Sequence, residues 1–418
     1  MKIAFLTLGC KLNYAETSTY ERGFLQAGWE VVSWQEKADV YLINTCSVTA
    51  TSDSKSRNLI RKVHRVNPLA WIVVTGCSAQ LRRSEIEGID GVSRVFGAHE
   101  KQNVVRETLD AVNSGHGFRI TESAGSEGVF GAFSTGERTR SFLKVQDGCS
   151  NYCAYCTVPY ARGESRNIPI AECVAGARAI AAEGVKEVVL TGVNTGDFGK
   201  TTGESFLDLL KALNDVEGIE RYRISSIEPN LLTEEIIAWI ASGTKFQPHF
   251  HIPLQSGSDE ILRAMGRHYD TAAFYDKIQM VRHYMEAPGR LKVFFGIDLM
   301  TGLPGESEAL FRESYEFIKK VSPAFIHVFP YSRRPGTPAA SMPGQVSEEV
   351  KKERVAELEE LCAQLHGDFV AAHKGMRARV LFESKEKDGS MGGYSENYIR
   401  VTRPYDPALS GEIIDVII

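Results

Sequence analysis

No apolar run in this 418-residue chain approaches the roughly 20 residues that a membrane-spanning helix needs. The longest, around Val40–Ile43 and in Gly411–Ile418, are far shorter, so no membrane crossing is expected. Charge of one sign is also scarce. Lys and Arg number 48 against 53 Asp and Glu, a net charge of −5 that gives no general affinity for polyanions, so any nucleic-acid contact must come from a local patch. Repeats and low-complexity runs are missing apart from one short segment. With 43% hydrophobic and 24% charged residues, disorder, collagen and coiled coil are excluded as whole-chain descriptions. No leader is expected either. Met1–Cys10 has the lysine, apolar stretch and cysteine of a lipoprotein signal, but Lys11 follows at once and the stretch is shorter than a leader of roughly 15–30 residues. A buried first strand is expected instead. Eight cysteines without a leader point to a reducing cytoplasm, where thiols serve more often as metal ligands or nucleophiles than as disulfides.

What is present is an α/β chain too long for one core, so two or three domains are expected. Lys2–Leu8, Asp39–Asn44 and Ala70–Thr75 are continuously apolar, as strands buried on both faces of a parallel sheet are. Segments 15–28, 52–66 and 100–113 alternate with them as amphipathic helices, which predicts a doubly wound parallel-sheet domain over 1–115. From Gly115 to Arg138 the composition turns to Gly, Ser, Thr and Glu, and 116–137 is expected to be a linker. Strands near 142–147, 187–191, 221–226, 249–253, 292–299 and 325–330 then alternate with helices, predicting a partial (β/α)6 barrel over 138–366. A helix over 347–373, capped by Ser347, follows. Arg377–Glu383, Tyr394–Thr402 and Glu412–Ile418 alternate as strands, giving a small C-terminal all-β module assigned to 367–418.

The cysteines carry the chemistry. Cys149, Cys153 and Cys156 form a C-x3-C-x2-C loop after the first barrel strand, and closely spaced thiolates are the usual ligands of iron–sulfur clusters and zinc. No further Cys follows until Cys173 and no His until His249, so a fourth local ligand is missing. Three ligands on a four-iron cluster leave one iron open, which is a catalytic arrangement. Cys10, Cys46 and Cys77 are dispersed, yet each directly follows a predicted parallel strand. Ligands collect at the carboxyl ends of such strands, so these three thiols are expected to meet as a second metal centre. Cys173 and Cys362 lie inside helical patterns and are expected to be packing residues.

The C-x3-C-x2-C loop, with Tyr155 before its last cysteine and a β/α barrel behind it, resembles the radical S-adenosylmethionine superfamily. Together with GCKLN (9–13), NTCSVTATSDSKSR (44–57), YCAYCTVPYARG (152–163), SSIEP (225–229) and HVFPYSRRPGTPAA (327–340), the whole chain resembles the methylthiotransferases within it, most of all the branch acting on threonylcarbamoyladenosine in tRNA. The resemblance implies two 4Fe-4S clusters. One on Cys149, Cys153 and Cys156 would bind S-adenosylmethionine as radical source, and one on Cys10, Cys46 and Cys77 would deliver sulfur, a second S-adenosylmethionine supplying the methyl. It also implies that the C-terminal module is a TRAM-like RNA-binding barrel and that the partners are the tRNA anticodon stem-loop and an electron donor such as flavodoxin or ferredoxin. A cytoplasmic monomer is expected.

Weaker signals extend this reading. Leu190–Thr202 ends in Gly-Lys-Thr, but Asn194 stands where a P-loop needs Gly, so it reads as a loop at the carboxyl end of the second barrel strand. Glu228, Gln255 and Asp298, at the ends of the third, fourth and fifth strands, are candidate cofactor contacts with Tyr155. Lys55, Arg57, Arg61 and Lys62 crowd one helix after Cys46 and are candidate phosphate ligands, as are Arg333 and Arg334 after the last barrel strand. Two other classes compete. A non-catalytic electron carrier would do best with fully ligated clusters, and a zinc-stabilised RNA-binding protein would want a fourth ligand. Among enzymes, isopentenyladenosine in tRNA is the alternative substrate.

Overall fold

The computed structural model describes residues 1–115, 117–118, 129–136 and 139–418. Its first sheet is built from β1 (Lys2–Thr7), β2 (Glu30–Val31), β3 (Val40–Thr45), β4 (Trp71–Gly76) and β5 (Val92–Val95), all parallel in the order β2-β1-β3-β4-β5. Around it lie α1 (Lys11–Gln26), α2 (Ala50–Val66), α3 (Cys77–Leu81), α4 (Arg83–Glu87) and α5 (Val104–Ser114). Alternate strand residues serve the two faces. Ala4, Leu6, Tyr41, Ile43, Ile72 and Val74 pack with Ile60 and Val63 of α2, while Ile3, Val40, Leu42 and Val73 pack with Tyr20 and Phe24 of α1 and Val104 of α5. Burial on both faces is why the strands read as unbroken apolar runs. The short edge strands β2 and β5 and the five-residue helices α3 and α4 are too brief to show a period.

The second sheet holds β6 (Arg140–Lys144), β9 (Glu187–Thr191), β10 (Arg221–Ser226), β11 (Phe246–Gln255), β12 (Phe294–Thr301) and β13 (Phe325–Pro330). They lie side by side in chain order and all pair in parallel, as six successive β/α units require. The small hairpin β7 (Gln146–Asp147) and β8 (Arg166–Asn167) brackets α6 (Val158–Arg162). The helices between strands are α7 (Ile170–Ala182), α8 (Phe206–Asn214), α9 (Glu234–Ala241), α10 (Asp259–Ala264), α11 (Thr271–Met285) and α12 (Glu308–Val321). Then α13 (Glu348–Ala371), capped by the Ser347 hydroxyl accepting from Val350 N, packs Leu358, Leu361 and Cys362 into the same core. The expected boundary at 366/367 therefore falls inside a continuous helix.

Most of the expected linker lies outside the described residues. The longer described part, 129–136, is packed: Phe133 pairs antiparallel with Leu143, Phe130 stacks on Tyr20 at 5.3 Å, and Lys144 N donates to Ala132 O at 2.9 Å. Two phenylalanines anchor a stretch whose small polar residues suggest none of this.

The third sheet is antiparallel, β14 (Arg377–Lys387), β15 (Ser390–Ser395), β16 (Arg400–Pro404) and β17 (Ile413–Ile417), ordered β16-β15-β14-β17. The single strand expected over Tyr394–Thr402 is two, broken where Tyr398 takes φ 63°. This sheet is seated on the amino-terminal end of the barrel strands. Arg221 donates to Arg379 O at 2.7 Å, Arg223 to Ser395 O and Glu396 O at 2.8 Å each, and Arg140 to the Tyr398 hydroxyl at 2.9 Å. The Tyr398 ring lies 4.5 Å from His249 and 5.7 Å from Phe294.

Candidate metal centres and the mouth of the barrel

The adjacent strands β1, β3 and β4 each deliver one cysteine at the carboxyl end. Cys10 stands just before α1 without capping it, Cys46 follows β3, and Cys77 opens α3. Two glycines measure how tightly the loops approach. A Cβ on Gly9 (φ 106°) would sit 3.0 Å from Cys46 Sγ, and one on Gly76 (φ 100°) only 2.3 Å from Thr45 O, so neither position admits a side chain. Burial, reinforced by Cys77 and Cys10, pushes the Cys46 thiol up to about 11.

The second triad lies on the loop between β7 and α6. Cys149 N donates to Gly163 O at 3.0 Å, and Gly148 (φ 72°) is pressed against Glu164 O. The sulfurs are already targets of donors: Asn151 N to Cys149 at 3.5 Å, Val158 N to Cys156 at 3.4 Å, and Arg267 Nη1 to Cys153 at 3.1 Å. Burial, with Cys153 close by, pushes Cys149 up to about 11 and Cys156 to about 12. A bound cation removes the penalty that holds such thiols protonated.

Three thiolates apiece are the donor set of an iron–sulfur cluster with one iron left open.

The two loops face each other, because α3, which begins at Cys77, packs on α6, which follows Cys156. Between them lies a buried charge network that no sequence pattern announces. Glu16 of α1 accepts from Lys101 at 2.8 Å, Lys144 at 2.9 Å and Arg162 at 3.2 Å, while Asp147 pairs with Lys144 at 2.7 Å and Arg162 at 2.8 Å. Burial alone would raise the Glu16 carboxyl; Lys101, then Lys144 and Arg162, overcome it and hold the group well below the usual range. Arg162 Nη2 also donates to Asn13 Oδ1 at 2.6 Å, and Asn13 faces Cys10 Sγ at 3.9 Å. Three cations against two carboxylates leave a net positive charge beside Cys10 and Cys77, which an anionic thiolate-bound cluster would offset. Arg162 stands within the YCAYCTVPYARG segment, where nothing in the spacing marks it; its five donors suit it to bridge both sheets.

The other expected contacts divide. Tyr155 and Glu228 meet through Arg267, which donates to the Tyr155 hydroxyl at 3.4 Å and to both Glu228 oxygens at 2.7 and 2.5 Å. Glu228 is thus already paired, and Arg267 is the side chain that reaches the cysteine loop. Gln255, at the end of β11, has φ 67°, a conformation that non-glycine residues adopt at a cost. Asp298, expected at a strand end, is not at one, because β12 runs on to Thr301; it hydrogen-bonds His251 Nε2 at 2.8 Å inside the barrel. Arg334 is likewise unavailable to phosphate. It is buried, donating to Ser47 Oγ at 2.9 Å and ion-paired with Asp53, and clasps the barrel to the loop after Cys46. Arg333 donates to Ala340 O at 2.6 Å and lines an open surface pocket of about 750 Å³ with Tyr160. On α2, Lys55 and Arg61 are exposed, Lys62 covers the Trp34 ring at 4.6 Å, and Arg57 is paired with Glu85 at 3.1 Å. Tyr152 and Tyr160, each 49% exposed, meet edge to face at the same mouth. Cys173 and Cys362 are core residues of α7 and α13.

Comparison with known proteins agrees along the chain. Residues 2–97 match the family described as Uncharacterized protein family UPF0004, and residues 143–318 match the Radical SAM superfamily. The chain is 38% identical to "Threonylcarbamoyladenosine tRNA methylthiotransferase MtaB" of Bacillus subtilis (strain 168), covering 99% of this chain and 93% of that one. It is 37% identical to the protein of the same name from Aquifex aeolicus, over 96% and 97%. The "tRNA-2-methylthio-N(6)-dimethylallyladenosine synthase" of Thermobifida fusca is 34% identical over 91% and 77%. Among solved structures, the radical S-adenosylmethionine methyltransferase TsrM from Kitasatospora setae superposes with a TM-score of 0.60 at 13% identity, over 92% of this chain and 79% of that one, a likeness of fold. With relatives this similar over nearly its entire length, the chain belongs to the methylthiotransferase family of radical S-adenosylmethionine proteins.

Proposed function

We propose that this protein adds a methylthio group to carbon 2 of N6-threonylcarbamoyladenosine at position 37 of tRNA, beside the anticodon. The observation that carries the reading is the pair of cysteine triads facing each other across α3 and α6, within a chain 38% identical to a threonylcarbamoyladenosine enzyme over 99% of its length. Cys149, Cys153 and Cys156 would hold one 4Fe-4S cluster and Cys10, Cys46 and Cys77 the other. When bound, these clusters and S-adenosylmethionine supply the electron, the carbon radical, the sulfur and the methyl that an unactivated C–H position demands. Arg267 orients the mouth by holding Glu228 on one side and Cys153 on the other. Arg162 fixes the separation of the two loops through Asn13 and Asp147. A flavodoxin- or ferredoxin-class donor provides the reducing electron, and the chain acts as a cytoplasmic monomer.

Nucleoside mass spectrometry after incubation with tRNAs carrying either modified adenosine tests the substrate. Conversion of the threonylcarbamoyl form is expected; conversion of isopentenyladenosine alone moves the protein to the neighbouring branch.

The exposed cations of α2 extend the RNA path away from Cys46. Neutralising Lys55 and Arg61, which form no ion pair among the described residues, is expected to weaken tRNA binding. It should also flatten the logarithmic salt dependence by about 1.4 to 1.8, since each lost phosphate contact removes about 0.7 to 0.9. Titrations over a range of salt check this, and an unchanged slope reduces the helix to a solvated face.

A further inference from the structure

We propose that Tyr152 and Tyr160, with Arg333 in the pocket that Tyr160 lines, form a stacking platform for the unpaired bases that flank the target adenosine in the anticodon loop. The proposal rests on the substrate reading above and names the part of this chain that holds the RNA while one base is taken into the barrel.

The two rings are held on short, fixed pieces of chain. Tyr152 lies between Cys149 and Cys153 at φ 46°, a left-handed conformation that Gly or Asn adopts at less cost and a bulky residue adopts rarely. The turn itself therefore does not call for a tyrosine, and the ring is half exposed rather than spent on the core. Tyr160 is equally exposed, although its neighbours on α6, Pro159, Ala161 and Arg162, are all buried. The two rings meet at 5.9 Å with planes 78° apart, an arrangement that leaves ring faces open to solvent. Neither hydroxyl has a hydrogen-bond partner among the described residues.

The cation is tied to the same mouth. Ala339 N donates to Ala154 O at 2.9 Å, which joins the loop carrying Arg333 to the cysteine loop. Arg333 and Tyr160 line one open pocket of about 750 Å³ together with Pro335, Thr337 and Pro338, within the usual span of about 300 to 1,000 Å³ for a ligand site. Arg333 Nε is spent on Ala340 O at 2.6 Å, while both Nη groups are without a partner among the described residues, unlike those of its buried neighbour Arg334. Open aromatic faces beside a free guanidinium suit an unpaired nucleotide, whose base offers a flat face and whose phosphate accepts parallel hydrogen bonds. Duplex RNA keeps its bases paired inside the helix and gives such rings nothing to stack on. The reaction itself calls for this support. An adenine whose ring carbon reacts inside a barrel has to leave the stack, and its neighbours then lose a stacking partner. Two rings at the rim, on the loop and the short helix that enclose the cysteine triad, replace it.

The test uses the fully reconstituted protein and anticodon stem-loops bearing N6-threonylcarbamoyladenosine, either intact or with abasic sugars on both sides of the target. Binding titrated at fixed salt is expected to weaken about five-fold or more when the flanking bases are removed, the scale of one stacked base. Tyr160→Ala should weaken binding of the intact stem-loop by a similar factor and shrink the effect of removing the bases. Tyr160→Phe should match the parent, because the ring and not the hydroxyl stacks. Tyr152→Ala should repeat the result of Tyr160→Ala, with iron content measured to show that the neighbouring centre is assembled. Arg333→Gln should weaken both stem-loops alike and lower the logarithmic salt slope by about 0.7. Flanking bases without effect on the unsubstituted protein overturn the platform, and that comparison needs no variant. An undiminished base effect in Tyr160→Ala overturns it too, as does a Tyr160→Ala protein that binds RNA normally and is only reduced more slowly by its electron donor, which would assign the rings to that protein instead. Conversion of isopentenyladenosine stem-loops alone overturns the substrate reading and not the platform, which the same base-removal comparison on those stem-loops then decides.

Discussion

Replacing Cys149, Cys153 and Cys156 together with Ala is expected to halve the iron content and abolish both cleavage of S-adenosylmethionine and methylthiolation. The complementary triple, Cys10→Ala with Cys46→Ala and Cys77→Ala, should also halve the iron but abolish only methylthiolation. The two sets can be separated because they stand on different sheets, one on a loop bracketed by a small hairpin and the other on three adjacent parallel strands. Each loop is shaped by its own glycines, Gly148 in the first case, Gly9 and Gly76 in the second, so emptying one does not dismantle the other. Iron and sulfide analysis after anaerobic reconstitution, with assays for 5′-deoxyadenosine and modified nucleoside, reads all four outcomes. Zinc in place of iron, or loss of cleavage in the second triple while its remaining cluster is assembled, would show that the roles are wrongly divided.

The second large effect concerns Glu16. Its carboxylate is fully buried and is the common partner of Lys101, Lys144 and Arg162. Glu16→Gln leaves Lys144 and Arg162 with Asp147 and takes from Lys101 its ion-pair partner among the described residues, and breaking a buried ion pair from one side typically costs about 3 to 5 kcal/mol. Because Lys101 and Glu16 belong to the first sheet's domain and Lys144, Asp147 and Arg162 to the barrel, the loss is expected to fall on the interface. Denaturant titration should show a lower midpoint, and Glu16→Gln with Lys101→Met should recover part of it. The pH dependence has a fixed sign. The folded-state pKa values of Glu16 and Asp147 lie below their unfolded values of about 4.3 and 3.9, so their stabilisation is complete above about pH 5 and is lost as pH falls through and below that range. A Glu16→Gln protein should be less sensitive to acid between about pH 5 and 3 than its parent, and equal acid sensitivity would mean that the network does not hold the domains together.

Much of this architecture is written locally. β1, β3 and β4 are continuous apolar runs because both faces are covered, and the six barrel strands recur with helices between them, so both sheets are legible in the residue pattern alone. The cysteines are equally legible, since each sits at a strand end or in one short loop. The polar interior is not. Arg140, Glu187, Arg223, His251, Asp298 and His327 come from six different strands at irregular intervals, and only the sheet brings them together. Arg334 looks like a free cation in the sequence because Asp53, its partner, is 281 residues away. Asp298 belongs to the barrel mouth only if β12 stops near residue 299; the strand runs two residues further, and a shift of that size moves a side chain from the rim to the lumen. The network at Glu16 is hidden for the same reason as the ion pair of Arg334: its members are separated by up to 146 residues.

The seating of the C-terminal sheet on the barrel has a consequence for anyone who recombines parts of such proteins. Three arginines of the barrel strands end on main-chain carbonyls, a tyrosine hydroxyl and a carboxylate of that sheet, and Tyr398 fills the space between them. A tail transplanted from a distant relative would arrive without the matching turn, stranding those guanidinium groups in an unsealed floor. Chimaeras are therefore expected to fail at a junction in the connection after α13, and to succeed only when Arg140, Arg221 and Arg223 travel with the tail. The sheet behaves as a fitted base plate, locked to the barrel floor by arginine side chains from two strands, so it keeps a fixed distance and angle to the barrel mouth rather than swinging on a tether.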